Sequence, residues 1–167
     1  HSDYSKFDFS EFEKFKEMLY LNFPAVHKKM KLEIINGYSL LYKWEGSEKE
    51  LNPGLFMAHI DVVPIENGTE SDWSYPPFSG KNAEGYIWGR GTMDIKIQII
   101  TMLEACEKLI TDGFIPTRTL YFAFGHDEET DGSNGARQIV NKLKKENVTL
   151  EFVNDEGGCI NSGIFSS

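Results

Sequence analysis

At 167 residues and 40% apolar content, the chain is long enough to form about one domain with a real core, which argues against intrinsic disorder. Its net charge of −9, from 26 acids against 17 bases, argues against a nucleic-acid backbone or an anionic membrane as partner. No apolar run approaches the roughly 18 residues that would mark a membrane span, and two cysteines make no disulfide framework.

Residue 1 is His rather than Met, so the chain reads as a piece of a longer protein, and no signal peptide is visible in it. Ser10 and Glu13 have the spacing of a capping box, and Phe12, Phe15 and Leu19 follow at helical spacing as a core stripe. Pro24 is expected to close that helix. Two strand-like runs, 32–35 and 39–44, meet across Asn36-Gly37, a strong hairpin signal. A polar surface turn over 46–53 precedes a third strand, 55–58, whose continuous apolar character suits a central strand covered on both faces.

The loop 63–80 carries Trp73, Tyr75, Pro76, Pro77 and Phe78, a rigid aromatic segment that either walls a cleft or packs down. In YIWGRGTMDIK, residues 86–96, a short strand gives way to an apolar helix, and Gly89 and Gly91 around Arg90 let the backbone turn tightly. Ile99, Met102, Leu103, Cys106 and Ile110 share one face of that helix, 95–110, and Gly113 lies just past its end. A strand over 119–124, a helix over 134–145 and a strand over 150–153 complete an α/β alternation, which predicts a mainly parallel sheet between helices. Two glycosylation sequons, at Asn67 and Asn147, favour a vacuolar or secretory address only slightly, and the compartment stays open.

The acids have a pattern of their own. MAHIDVVP (57–64), FGHDEETDG (124–132) and FVNDEGG (152–158) each begin as a buried strand and end in His, Asp or Glu. The charged residues therefore fall at carboxyl strand ends, the edge where open α/β sheets bind ligands. Asp94, at the start of the apolar helix, is the hub of this arrangement. Taken alone, Asp94 serves equally well as a helix cap, and Glu128-Glu129 reads as a solvated loop; four clusters at one edge suggest a site.

In order, the blocks LLYKWEGS, MAHIDVVP, WSYPPFSG, YIWGRGTMDIK, FGHDEE and VNDEGG resemble the M20 metallopeptidases. The likeness is strongest to the carboxypeptidase S (Gly-Xaa carboxypeptidase) branch, to which the secreted N-acyl-amino-acid hydrolases are similar. The resemblance implies two Zn2+ per active site in the full-length protein, with His59, Asp94, Glu129 and Asp155 as metal ligands and Asp94 bridging. Glu156 is the alternative to Asp155. Asp61 would hold the other ring nitrogen of His59, and Glu128 would be the general base. Cys159, His126 and His27 are not expected to be ligands: His126 neighbours the site and His27 lies at the surface.

The implied reaction is zinc-dependent hydrolysis of an amide, in a dipeptide or short peptide with a free C-terminus or in an N-acyl amino acid. Residues 1–167 correspond to the N-terminal portion of such a catalytic domain. Members of the family are longer, with a lid domain that offers a homodimer interface and a final His ligand. This fragment is accordingly expected to be inactive by itself, and the alternative is a non-catalytic metal-binding or partner-binding domain. GRGTMDIK keeps the family's Asp-x-Lys spacing but has Ile97 where glycine is frequent.

Overall fold

The computed structural model describes residues 8–157. The chain begins with helix α1, Ser10–Asn22, and a short helix α2, Pro24–Lys29. Pro24 does mark the break, but it opens α2 at the first helical position, where its missing N–H costs nothing. The expected capping box is absent: Phe9 occupies the cap position and makes no side-chain cap bond. Asp8 takes over, its Oδ1 accepting the Ser10 amide at 2.9 Å.

Strands β1, Lys31–Ile35, and β2, Ser39–Trp44, form the expected hairpin, with Asn36 and Gly37 at the positive φ that the turn requires. The polar turn over 46–53 is exposed except at the half-buried Pro53 and at Gly46, where an added Cβ would meet the backbone of Thr117 and Arg118. Strand β3 is Gly54–His59, β4 and β5 are Lys81–Ala83 and Tyr86–Trp88, and α3 is Ile97–Thr111. Then come β6, Leu120–Gly125, α4, Ala136–Lys145, and β7, Phe152–Asn154. The β4–β5 hairpin stands apart as a small sheet.

The main sheet has the order β1-β2-β6-β3-β7. Its working part is parallel, β6-β3-β7, and the β1–β2 hairpin is added antiparallel to β6. From β3 the chain crosses by α3 to β6 on one side; from β6 it crosses back by α4 to β7 on the other. Right-handed crossovers in opposite directions place their helices on opposite faces.

The two cores follow from strand alternation. Leu40, Tyr42, Trp44, Phe122 and Phe124 point to the α1–α3 face and pack with Leu19, Ile99 and Leu103. Leu41, Tyr121 and Ala123 point the other way, against Ile139 and Leu143 of α4. Cys106 is buried in the first core, as expected. His27, expected at the surface, is half-buried, with Nε2 3.1 Å from the Tyr42 hydroxyl and Nδ1 2.8 Å from the Phe23 carbonyl oxygen. The cause is α2, which turns that face of the short helix onto β2.

Candidate metal centre

Strands β3, β6 and β7 run parallel and so deliver their carboxyl ends to one edge. There the residues after each strand converge. His59, the last residue of β3, is 2% exposed, and its Nδ1 lies 3.1 Å from the Asp61 carbonyl oxygen and 3.3 Å from Asp61 Oδ1. Its Nε2 faces Asp94 Oδ1 at 3.1 Å, Glu156 Oε2 at 3.5 Å and Glu128 Oε2 at 3.8 Å.

Asp94 reaches this point from a kinked turn, Thr92–Lys96, just before α3; within it Asp94 and Ile95 leave helical geometry, Asp94 with an extended backbone, and the Asp94–Ile95 peptide is cis. Its carboxylate engages His59 and caps no helix. Gly91, at φ +80, starts the turn, and an added Cβ would stand 2.6 Å from Val62 Cγ1 and 3.2 Å from Lys96 Nζ. Only glycine fits so close an approach at that φ.

Asp61 has two tasks. Besides facing the His59 ring, it accepts the Glu128 amide on Oδ1 at 3.1 Å and the Glu129 amide on Oδ2 at 3.0 Å. The loop after β6 is thereby tied to the loop after β3, and both acids are presented to the cluster. Of the adjacent acids after β7, both of them exposed, Glu156 turns toward His59, whereas Asp155 Oδ1 accepts the Glu156 amide at 2.9 Å. Both border a small pocket with His59 and Glu128.

Electrostatics reflect the crowding. Burial opposes charge on His59, but the hydrogen-bonding Asp61 and Asp94 carboxylates and the Glu128 charge outweigh it, and the pKa is raised from 6.5 to about 9. Burial, then the neighbouring acids, hold Glu128 and Glu129 above the usual carboxylate range, with His59 opposing. For Asp61 burial acts upward, yet hydrogen bonds from His59 and the two loop amides bring the carboxyl below its ordinary value. The donor atoms of His59, Asp94 and Glu156, and those of His59, Glu128 and Glu129, lie within 4.8 Å of one another in each set. One imidazole among several carboxylates suits a divalent cation of borderline hardness.

Two further residues adjoin the cluster although sequence reasoning attached no role to them. Lys96 is half-buried near Asp61 and Glu129, its ammonium pKa pushed down by burial against the pull of those carboxylates. The Asp-x-Lys spacing was its only signal. Asp127 is buried beside Glu128, and nothing in the run HDEETD distinguishes it from its neighbours. His126, expected beside the site, is buried with Nδ1 2.6 Å from Ser39 Oγ. In the aromatic loop, Trp73 lies under the Arg90 guanidinium, 5.3 Å from ring centroid to Cζ, and Tyr75 packs on Trp88 at 5.3 Å. Phe78 is exposed, and Cys159 lies outside the described residues.

Residues 55–166 match the family described as peptidase family M20/M25/M40. The chain belongs to that family. Over 149 residues it is 51% identical to the probable carboxypeptidase S-like 2 of Dictyostelium discoideum, covering 88% of this chain and 28% of that one. Over 152 residues it is 43% identical to the N-fatty-acyl-amino acid synthase/hydrolase PM20D1 of Xenopus tropicalis, covering 90% and 29%. The M20 chain also superposes on the M20 family metallo-carboxypeptidase Sso-CP2 from Sulfolobus solfataricus with a TM-score of 0.68 at 22% identity, covering 89% of this chain and 32% of that structure. At that identity the superposition shows the fold alone. The M20 chain thus spans less than a third of the length of these relatives.

Proposed function

We propose that this chain supplies the N-terminal portion of the catalytic domain of a zinc-dependent amide hydrolase. The observation that carries the reading is the convergence on His59 Nε2 of Asp94, Glu156 and Glu128 at 3.1–3.8 Å, with the second ring nitrogen turned to Asp61. His59, Asp94 and Glu156 would hold one zinc, Glu156 taking the place expected for Asp155. Asp94 and Glu129 would contribute to a second. When bound, zinc polarises the scissile carbonyl and makes water more acidic.

The chain's own residues do the rest. Asp61 accepts a hydrogen bond from Nδ1–H, which fixes the tautomer that leaves Nε2 free to donate its lone pair. Glu128 stands beside this position with a raised pKa, which suits a group that must both take and return a proton. It removes a proton from water as the oxygen attacks the carbonyl carbon, then gives that proton to the amine nitrogen as the C–N bond breaks. The names of the relatives point to a substrate among peptides with a free C-terminus or N-acyl amino acids. Both share an amide next to a carboxylate-bearing carbon.

Calorimetric zinc titration of the chain and of Asp94→Ala tests the site. A tight position that vanishes in the variant is the expected result, and unchanged binding would refute the ligand assignment. Assaying the longer protein that contains this chain against Gly-Leu and an N-acyl amino acid side by side tests the substrate class.

A further inference from the structure

Asp127 is 4% exposed and directly precedes the Glu128-Glu129 pair, yet its polar atoms are engaged by backbone donors rather than by the cluster. Its Oδ2 accepts the Asn134 amide at 2.7 Å and its Oδ1 the Gly135 amide at 2.8 Å. Its carbonyl oxygen accepts the amides of Thr130, Asp131 and Gly132 at 3.2, 3.2 and 2.9 Å and the Thr130 hydroxyl at 2.9 Å. One buried residue therefore closes the whole loop 128–135 on itself. Charge-assisted bonds to backbone N–H groups are among the stronger ones a carboxylate can make.

The approach is tight. A Cβ at Gly135 would stand 2.5 Å from Asp127 Oδ1 and 3.0 Å from both Ser39 Oγ and the His126 backbone nitrogen. On its other side the loop is held by Asp61, through the Glu128 and Glu129 amides. The loop that carries both acids is thus held at two places: Asp61 takes the Glu128 and Glu129 amides, and the Asp127 carboxylate takes the Asn134 and Gly135 amides at the loop's far end.

We propose that Asp127 is a positioning residue that sets the backbone of Glu128 and Glu129, and so the placing of the general base and its neighbouring ligand. The inference rests on the roles proposed above for those two acids, but the placing itself can be read without metal. Asp127→Asn keeps the shape while offering one acceptor oxygen and one NH2 to two N–H donors, so one donor must lose its partner.

Hydrogen exchange on the metal-free 167-residue chain, resolved by residue with NMR, is the test. In Asp127→Asn the Glu128 and Glu129 amides should exchange faster by about tenfold or more, while Phe122 and Phe124 in β6 keep their rates. Gly135→Ala, which pushes the intact carboxylate aside, should do the same and decides the matter if the first variant does not fold. Unchanged exchange at Glu128 and Glu129, or an equal acceleration that includes β6, would overturn the proposal. In parallel, cobalt(II) should bind Asp127→Asn at least about tenfold more weakly, with an altered visible absorption. Ser39→Ala, which loses a bond in the same buried corner without touching the loop amides, should bind normally. If it weakens cobalt equally, the effect is general softening and the proposal falls. If the unaltered chain ignores cobalt, the metal reading fails, and the exchange rates still decide whether Asp127 sets the loop.

Discussion

His59 is the residue on which several arguments meet, because the same neighbours that would help it hold a metal also hold its proton when none is bound. With a folded pKa of about 9 against an ordinary 6.5, the ring is an imidazolium at neutral pH. A raised pKa adds stability that is fully present below pH 6.5 and is lost as the pH rises through about 9. The metal-free chain should therefore lose melting temperature across that interval. Zinc needs the neutral ring, so its binding should strengthen over the same interval and release about one proton per site at pH 7. Calorimetry in buffers of different ionisation enthalpy reads that proton; equal heats in all buffers would contradict the assignment of His59. Glu128 makes a separate prediction. In the longer protein, Glu128→Gln should keep zinc and fold but lower kcat by roughly 10²–10⁴-fold, and a near-normal kcat would remove Glu128 from the role of base.

At the scale of elements, the centre depends on how one turn enters α3. A Gly91→Ala variant would combine an unfavourable φ of +80 with a Cβ 2.6 Å from Val62 Cγ1. It should cost about 1–3 kcal/mol in urea unfolding and weaken metal binding together with stability, since the turn carries Asp94. Stability and affinity both at the level of the unaltered chain would show that the turn tolerates a side chain. The main strands were legible because their apolar runs are continuous, as covering on both faces requires: the register of β2 with β6 sends Tyr42 and Phe122 to one core and Leu41 and Ala123 to the other. The β4–β5 hairpin was legible only in its second strand. Two three-residue strands around Glu84-Gly85 are too short to impose a period. The kinked turn at 92–96 was likewise hidden, because nothing in its composition marks a break before the apolar helix.

For the molecule as a whole, the dominant expectation is coupling between metal and stability. Asp94, Glu128, Glu129 and Glu156 crowd one imidazole, and their mutual repulsion must weaken the metal-free fold. A cation that binds only the folded form adds RT ln(1 + [L]/Kd), or ~2.7 kcal/mol at a hundredfold excess over Kd. Zinc should accordingly raise the melting temperature, and a chelator should reverse the rise. Because the cluster holds a single imidazole among the described residues, one position should be tight and the second weak. Asp94→Ala should abolish the rise and Glu129→Ala should leave most of it. Two equally tight zinc ions, or a melting temperature indifferent to zinc and chelator, would count against this division.

The sequence by itself determined the class of fold, the succession of the main strands along the chain and the fact that acids gather at their carboxyl ends, because short apolar runs and strand-terminal charge are local patterns. Membership of the family could be read in the same way, from ordered blocks. Which acid of an adjacent pair faces His59 was not local. Asp155 and Glu156 have the same chemistry and neighbouring places, and only the direction in which β7 ends turns Glu156 to His59 and leaves Asp155 to accept its neighbour's amide. The same holds for Asp127 and Asp61, whose partners are backbone amides 7 to 68 residues away. Residue type says that a carboxylate will accept hydrogen bonds. Which amides come within reach depends on how the loops are brought together, and that is decided by the packing of the sheet between its two layers of helices.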